Sequence, residues 1–238
     1  AIGDPTEDCM SIIITRDSGE SWSKISCSDL PPAFDGEAAF AASDTNITTV
    51  GDHTWVATGG KSSRVLYSPD KGVTWQVFET PIILGKSTTG MYSIDFYDQN
   101  NGFAIGGDYT KPNDTIANKI RTSDGGKTWQ VVADGKGPGY RSCVQYIPNR
   151  EGNELVTVGF KGMDYSNDYW LLNSQLSCKT NKKKIPYPFS IQMFEKNCSI
   201  RRYIALIRKL CDGTDYGNKI ELQIREMSGH RLRSNLTL

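Results

Sequence analysis

Apolar residues in this chain come in short bursts, set apart by polar stretches that carry glycine. No apolar run is long enough for a membrane-spanning helix. The bursts are rich in β-branched and aromatic residues: residues 11–15, 54–58, 64–68, 91–96, 102–106, 119–122, 141–146, 154–159 and 163–166. That pattern predicts short β-strands. The strands come in a fixed order, and the order repeats. Thr15-Arg16-Asp17-Ser18-Gly19-Glu20-Ser21-Trp22, Ser68-Pro69-Asp70-Lys71-Gly72-Val73-Thr74-Trp75 and Thr122-Ser123-Asp124-Gly125-Gly126-Lys127-Thr128-Trp129 all read Ser/Thr-x-Asp-x-Gly-x-Ser/Thr-Trp. Trp22, Trp75 and Trp129 recur at intervals of 53 and 54 residues. A period of tens of residues marks one supersecondary unit, repeated.

The units align on this ruler. Residues 1–22 are the end of one. The next has short strands at 23–25, 37–43, 54–58 and 64–68, with 37–43 as the inner strand because small side chains suit a narrowing space. The third has strands at 76–78, 91–96, 102–106 and 119–122, and the fourth at 130–132, 141–146, 154–159 and 163–166. Four short strands per period are the signature of propeller blades. The fold class is therefore all-β: a β-propeller of which three to four blades are present, in residues 1–170, followed by an irregular tail. The rhythm breaks at Ser166-Asn167-Asp168-Tyr169-Trp170, which begins the turn but lacks its Gly-x-Thr, only 41 residues after Trp129. Within 171–238, residues 182–188 read as a linker. Residues 199–210 read as a basic helix, with apolar positions at 200, 203, 204, 206, 207 and 210. This tail is either a genuine appendage or out-of-frame or intron-derived translation.

Charge changes the picture by exclusion. Lys+Arg and Asp+Glu balance at 27 each, so no global field favours nucleic acid or an anionic membrane. Two histidines and six cysteines with no Cys-x-x-Cys pair argue against zinc, and no sequence feature calls for a cofactor. Cys9, Cys27, Cys143, Cys178, Cys198 and Cys211 are expected as unpaired thiols rather than a disulfide framework. Asn46, Asn113, Asn197 and Asn235 begin N-glycosylation triplets. The start, Ala1-Ile2-Gly3-Asp4-Pro5, suggests a processed chain or a fragment.

Within each turn the Asp carboxylate can accept from backbone N–H groups, Gly supplies a positive φ, and Trp packs between sheets. Asp17, Asp70 and Asp124 recur in every unit, and a single active site cannot use them all. Asp17, Gly19, Trp22, Asp70, Gly72, Trp75, Asp124, Gly126 and Trp129 are therefore expected to be structural.

These octapeptides resemble the Asp-box, or bacterial neuraminidase repeat, of β-propeller proteins such as sialidases and photosystem II assembly-factor-like proteins. Gly36-Glu37-Ala38-Ala39-Phe40-Ala41-Ala42-Ser43, Gly106-Gly107-Asp108-Tyr109-Thr110-Lys111-Pro112 and Gly139-Tyr140-Arg141-Ser142 are further similar to exported propellers related to the photosystem II stability/assembly factor, often labelled "oxidoreductase". The resemblance covers residues 1–170. It implies export and a propeller of about seven blades, of which this chain holds the later ones. The oxidoreductase label finds no Rossmann turn, haem attachment motif or flavin site here.

Blade topology locates a site. The repeated turns join third to fourth strands and lie on one rim. The loops entering inner strands (Glu37, Gly90, Tyr140-Arg141) and those joining second to third strands (Asp4, Lys61, Asp108-Tyr109, Lys111, Lys161) lie on the other. Glu37, Arg64, Asp108, Tyr109, Lys111, Tyr140 and Arg141 then form a mixed-charge, aromatic group at the channel mouth. It suits a zwitterionic, peptide or sugar ligand, unless these residues form ion pairs that close the channel. The expected function is a non-catalytic scaffold binding a protein or small polar ligand. The rival is a sialidase-like glycoside hydrolase casting Arg64, Arg141, Tyr140, Glu37 and Asp108 in catalytic parts, though the Arg-Ile-Pro-type signature is absent. His53 is expected as a solvated turn residue.

Overall fold

The strands found are short and antiparallel, and the central ones are buried on both faces. The computed structural model describes residues 1–40, 43–167 and the strand at 174–175. In chain order the strands are β1 (Ile2–Gly3), β2 (Ser11–Ile14), β3 (Ser23–Lys24), β4 (Glu37–Ala38), β5 (Ile47–Val50), β6 (His53–Ala57), β7 (Gly59–Gly60), β8 (Arg64–Ser68) and β9 (Gln76–Glu79). They continue with β10 (Thr89–Phe96), β11 (Gly102–Asp108), β12 (Lys119–Thr122), β13 (Gln130–Val131), β14 (Cys143–Tyr146), β15 (Leu155–Gly159), β16 (Gly162–Ser166) and β17 (Ser174–Gln175). The sheets are β1-β2-β3, β5-β6-β8-β9, β13-β12-β11-β10-β7-β4 and β14-β15-β16-β17. Each meander is one blade, and the first contributes its last three strands. The chain is a β-propeller segment, as the period predicts.

Side-chain alternation explains why these strands read as nearly continuous apolar runs. In β6, Trp55 and Ala57 join the core between the second and third blades, whereas Val56 joins the core between the first and second. In β11, Ala104 faces back to the second blade and Phe103 and Ile105 face the fourth. Full burial of Val56, Phe103 or Ile105 stabilises by about 1.5–3 kcal/mol each, and of the alanines by less.

The repeated turns adopt one geometry. Asp70 accepts from Ser68 Oγ (2.9 Å), Val73 N (3.0 Å), Thr74 N (2.8 Å) and Thr74 Oγ1 (2.6 Å). Asp124 accepts from Thr122 Oγ1 (2.8 Å), Thr128 N (3.0 Å) and Thr128 Oγ1 (2.6 Å). The two residues that follow Asp70 are left-handed: φ is 61° at Lys71 and 81° at Gly72. The sequence pattern assigned positive φ to the glycine alone.

Three expectations are corrected. Residues 37–43 are not the inner strand of the second blade. That place belongs to β5, and β4 pairs instead with β7, which in turn pairs with β10. Left-handed backbone at Phe40 (φ 46°) and Asp44 (φ 56°) interrupts the extended run that the small residues suggested. Cys9 and Cys27 form a disulfide, while Cys143 is a buried thiol whose sulfur accepts from Thr45 Oγ1 (3.4 Å). A bridge between Cys9 and Pro32 folds the loop after β3 back beside Cys9, a contact that residue spacing does not show. His53 is half-buried, with Nδ1 2.6 Å from the Tyr67 hydroxyl and its ring stacked on Trp55. The fourth blade also gains β17 past residue 170, paired with β16. The linker, helix and remaining cysteines expected in the tail lie outside the described residues.

Candidate functional site

Glycine lets the three backbones that carry the loop rim come together. Gly90 has φ of 124°, and a Cβ there would lie 2.5 Å from Gly59 Cα. No other residue fits that crossing of β10 over β7. It brings the Glu37 loop, the Lys61 loop and the start of β10 to one place.

Two buried ion pairs form the floor. Glu37 and Arg64 have side chains 0% and 3% exposed. Arg64 Nε donates to Glu37 Oε1 (3.1 Å) and Nη2 to Oε2 (2.6 Å). Thr58 Oγ1 and Phe34 N also donate to Glu37, and Arg64 Nη2 donates to the Pro32 carbonyl. In the fourth blade Arg141 Nε donates to Asp164 Oδ2 (2.7 Å) and Nη1 to the Tyr140 carbonyl (2.8 Å). Burial holds the Asp164 carboxyl above its usual range, against the pull of Arg141. Lys119, on the third strand of the intervening blade, is also buried, and its Nζ donates to Asn118 Oδ1, the Lys136 carbonyl and the Pro138 carbonyl. Burial lowers its pKa to about 8; Asp134 and Asp164 oppose that shift and Arg141 adds to it.

Above the floor is an aromatic base. Phe40 stacks on Tyr92 at 4.0 Å, and Tyr140 meets Tyr92 edge-on at 4.8 Å. Tyr109 and Phe160 close on Tyr140 at 6.3 Å and 5.4 Å. Burial, reinforced by Tyr140, Tyr109 and Asp108, pushes the Tyr92 hydroxyl far up, so it stays neutral. Tyr140 is buried, but Tyr109 and Phe160 remain 47% and 42% exposed. Asp108 is buried; burial would raise its carboxyl, yet hydrogen bonds from Thr110 and Thr88 and the Lys86 charge together lower it. Lys111 is exposed beside Tyr109.

Of the seven residues singled out from the sequence, the structure turns Glu37, Arg64, Asp108, Tyr140 and Arg141 inward, each with partners, and leaves Tyr109 and Lys111 facing solvent. Asp164, Lys119, Tyr92, Phe40 and Phe160 also build the site and were not singled out. A signal for two of them is in the repeat: the third strand of each of these blades carries one buried charge, Arg64, Lys119 or Asp164. No group of three or more His, Cys, Asp or Glu residues among those described is placed to hold a metal.

No protein-family model and no curated protein matches the chain. Among solved structures it is similar to "YCF48 bound to D1 peptide", at 18% identity over 70% of this chain and 45% of that one, with a TM-score of 0.45. It is also similar to YCF48 from Cyanidioschyzon merolae, at 13% identity over 74% of this chain and 68% of that one, TM-score 0.34. A third is the GH74 xyloglucanase from Xanthomonas campestris, at 16% identity over 66% of this chain and 24% of that one, TM-score 0.45. The chain thus spans under half the length of the first of these and about a quarter of the xyloglucanase. At such identities the likeness is one of fold alone.

Proposed function

We propose that this chain is a non-catalytic binding scaffold whose working face is the rim opposite the repeated turns. The observation that carries this reading is the contrast within the site. Its buried charges are held by internal partners, two of them as the ion pairs Glu37–Arg64 and Arg141–Asp164, whereas two aromatic rings held from behind stay open to solvent. Rigid exposed rings on a packed base suit recognition, because little side-chain entropy is lost on binding. A glycosidase of sialidase type would need arginines free to clamp a substrate carboxylate; Arg64 and Arg141 already hold Glu37 and Asp164. Export is part of the proposal, supported by the Cys9–Cys27 disulfide, which persists in oxidising compartments.

The test is a screen of the full chain against arrays of peptides and glycans, with Tyr109→Ala/Phe160→Ala beside the wild type. Binding that falls about tenfold or more in the double variant, the equivalent of about 1.4 kcal/mol, supports the reading. Ligands bound equally by both proteins place recognition elsewhere. Turnover of a fluorogenic sialoside that Tyr140→Phe abolishes, in a variant that still folds, overturns it in favour of the enzyme.

A further inference from the structure

The buried pair Glu37–Arg64 takes part of its support from a strap, residues 27–36, that runs from the end of β3 to β4. The Phe34 N–H donates to Glu37 Oε2 (2.9 Å), and the Pro32 carbonyl accepts from Arg64 Nη2 (2.8 Å). The Phe34 ring lies over the guanidinium, its centroid 3.7 Å from Arg64 Cζ. That ring is half exposed, and the Arg64 beneath it is buried.

Little holds the strap itself. It has one 3-10 turn at Cys27–Asp29, and Leu30 is its one buried side chain. Pro32, Phe34, Asp35 and Gly36 are exposed. Its ties to the first blade are the Ala33 N–H on the Asp8 carbonyl (2.8 Å), the bridge of Pro32 to Cys9, and the Cys9–Cys27 disulfide. A segment with so few buried contacts opens locally at low cost, and the covalent tie is the strongest of the three.

We propose that the Cys9–Cys27 disulfide is a redox latch on the rim: intact, it keeps the strap over Glu37 and Arg64; reduced, it lets the strap lift and opens the pair to solvent. The two charges themselves stay in place. Glu37 is in β4, paired with β7, and still accepts from Thr58 Oγ1; Arg64 is in β8, paired with β9. What leaves is their cover: one N–H, one carbonyl and one ring. A carboxylate and a guanidinium are thereby added to the binding face, a consequence that rests on the reading of this rim as the working face. The electrons come from a dithiol. Its thiolate attacks Sγ of the half-buried Cys27, the S–S bond breaks, and the buried Cys9 leaves as thiolate. The second reductant thiol then displaces Cys27. The dithiol ends as a disulfide, and its two protons end on Cys9 and Cys27.

Hydrogen exchange of the Phe34 N–H and the Arg64 Nε–H, followed by NMR on the full chain with and without a dithiol, tests this. Both should exchange about tenfold or more faster after reduction. Arg141 is the internal control: it is in a buried pair of the same kind, held by Asp164 and the Tyr140 carbonyl in the fourth blade, and its Nε–H should not change. Cys9→Ser/Cys27→Ser should show the fast exchange without reductant, and adding the dithiol should not alter it further. Leu30→Ala loosens the strap with the disulfide intact and should also speed exchange at Phe34 and Arg64; it decides the matter if the reduced chain fails to fold. Unchanged exchange at Arg64, on reduction or in a folded Leu30→Ala variant, overturns the latch. Equal acceleration at Arg141 overturns it too, since the disulfide would then act on the whole chain. None of these measurements involves a ligand, so their failure leaves the scaffold reading to the array screen.

Discussion

The first and third copies of the repeated turn are built alike and packed differently. Asp17 accepts from Thr15 Oγ1 (2.7 Å), Ser21 N (2.9 Å) and Ser21 Oγ (2.5 Å), the same set that Asp124 draws from Thr122 and Thr128. Yet Trp22 is 53% exposed and Trp129 only 7%. Trp129 meets Phe96 edge-on and donates its Nε1 to the Gly126 carbonyl, while Trp55 of the preceding blade donates to Gly125 in the same turn. Trp22 has no such blade before it within the described residues. The turn is thus a local device that the octapeptide makes alone. The tryptophan's burial is a property of the neighbouring sheet.

The largest expected effect breaks this comparison directly. Trp129→Ala should cost about 3–5 kcal/mol, as large buried aromatics do on truncation, and Trp22→Ala about 1 kcal/mol or less. Urea unfolding of the two variants beside the wild type measures both. Equal losses would mean that the first copy is buried in solution and that the contrast is false. A half-buried Trp75, packed against the core between the first and second blades, should fall between them.

The second prediction concerns how the first sheet holds, given that no blade packs on its outer side among the described residues. It has three strands, exposed apolar side chains at Ile13 and Trp22, and the Cys9–Cys27 cross-link across 18 residues. Closing a loop of that length in the unfolded chain accounts for about 3 kcal/mol of stability. Cys9→Ser/Cys27→Ser should lose about that much, and the loss should centre on residues 1–33 in hydrogen exchange. A uniform loss of protection through the fourth blade would show that the first sheet is not a separately secured region.

Which parts were readable from sequence follows the same local-versus-distant division. Strands 54–58, 64–68, 102–106 and 119–122 were legible because both faces are buried, so propensity and apolar content agree. The turns were legible because their chemistry lies within eight residues. The inner strand at 47–50 was not, since Ile47-Thr48-Thr49-Val50 is short and half-buried while Glu37 to Ser43 offers more small apolar residues. Left-handed φ at Phe40 has no glycine or asparagine to announce it. The disulfide depends on a loop folding back, which spacing does not encode. At the site, the rim followed from topology, and ion pairing among the seven residues was the alternative to a ligand site, but topology did not say that Glu37 pairs with Arg64. Asp164 as the partner of Arg141, and Phe160 as a second exposed ring, required the three-dimensional overlay of blades.

The smallest effect sharpens the comparison within the turns themselves. Hydrogen bonds from Ser21 and Thr15 hold the Asp17 carboxyl far below its usual range, and those from Thr74 and Ser68 hold Asp70 at about 2. Asp124 is also lowered, but there burial by the neighbouring blade raises it and the Thr128 and Thr122 bonds must overcome that. All three are depressed relative to the unfolded chain. Their contribution is therefore present above the ordinary value of 3.8 and is lost as pH falls, for Asp70 through about 2. Melting temperature should drop between pH 4 and pH 2, and Asp70→Asn should flatten that drop modestly. On acid titration followed by carboxyl NMR, Asp124 should protonate before Asp17. If Asp17 protonates first, burial is not what separates the two copies electrostatically, and the shared hydrogen bonds differ in strength despite their matching geometry.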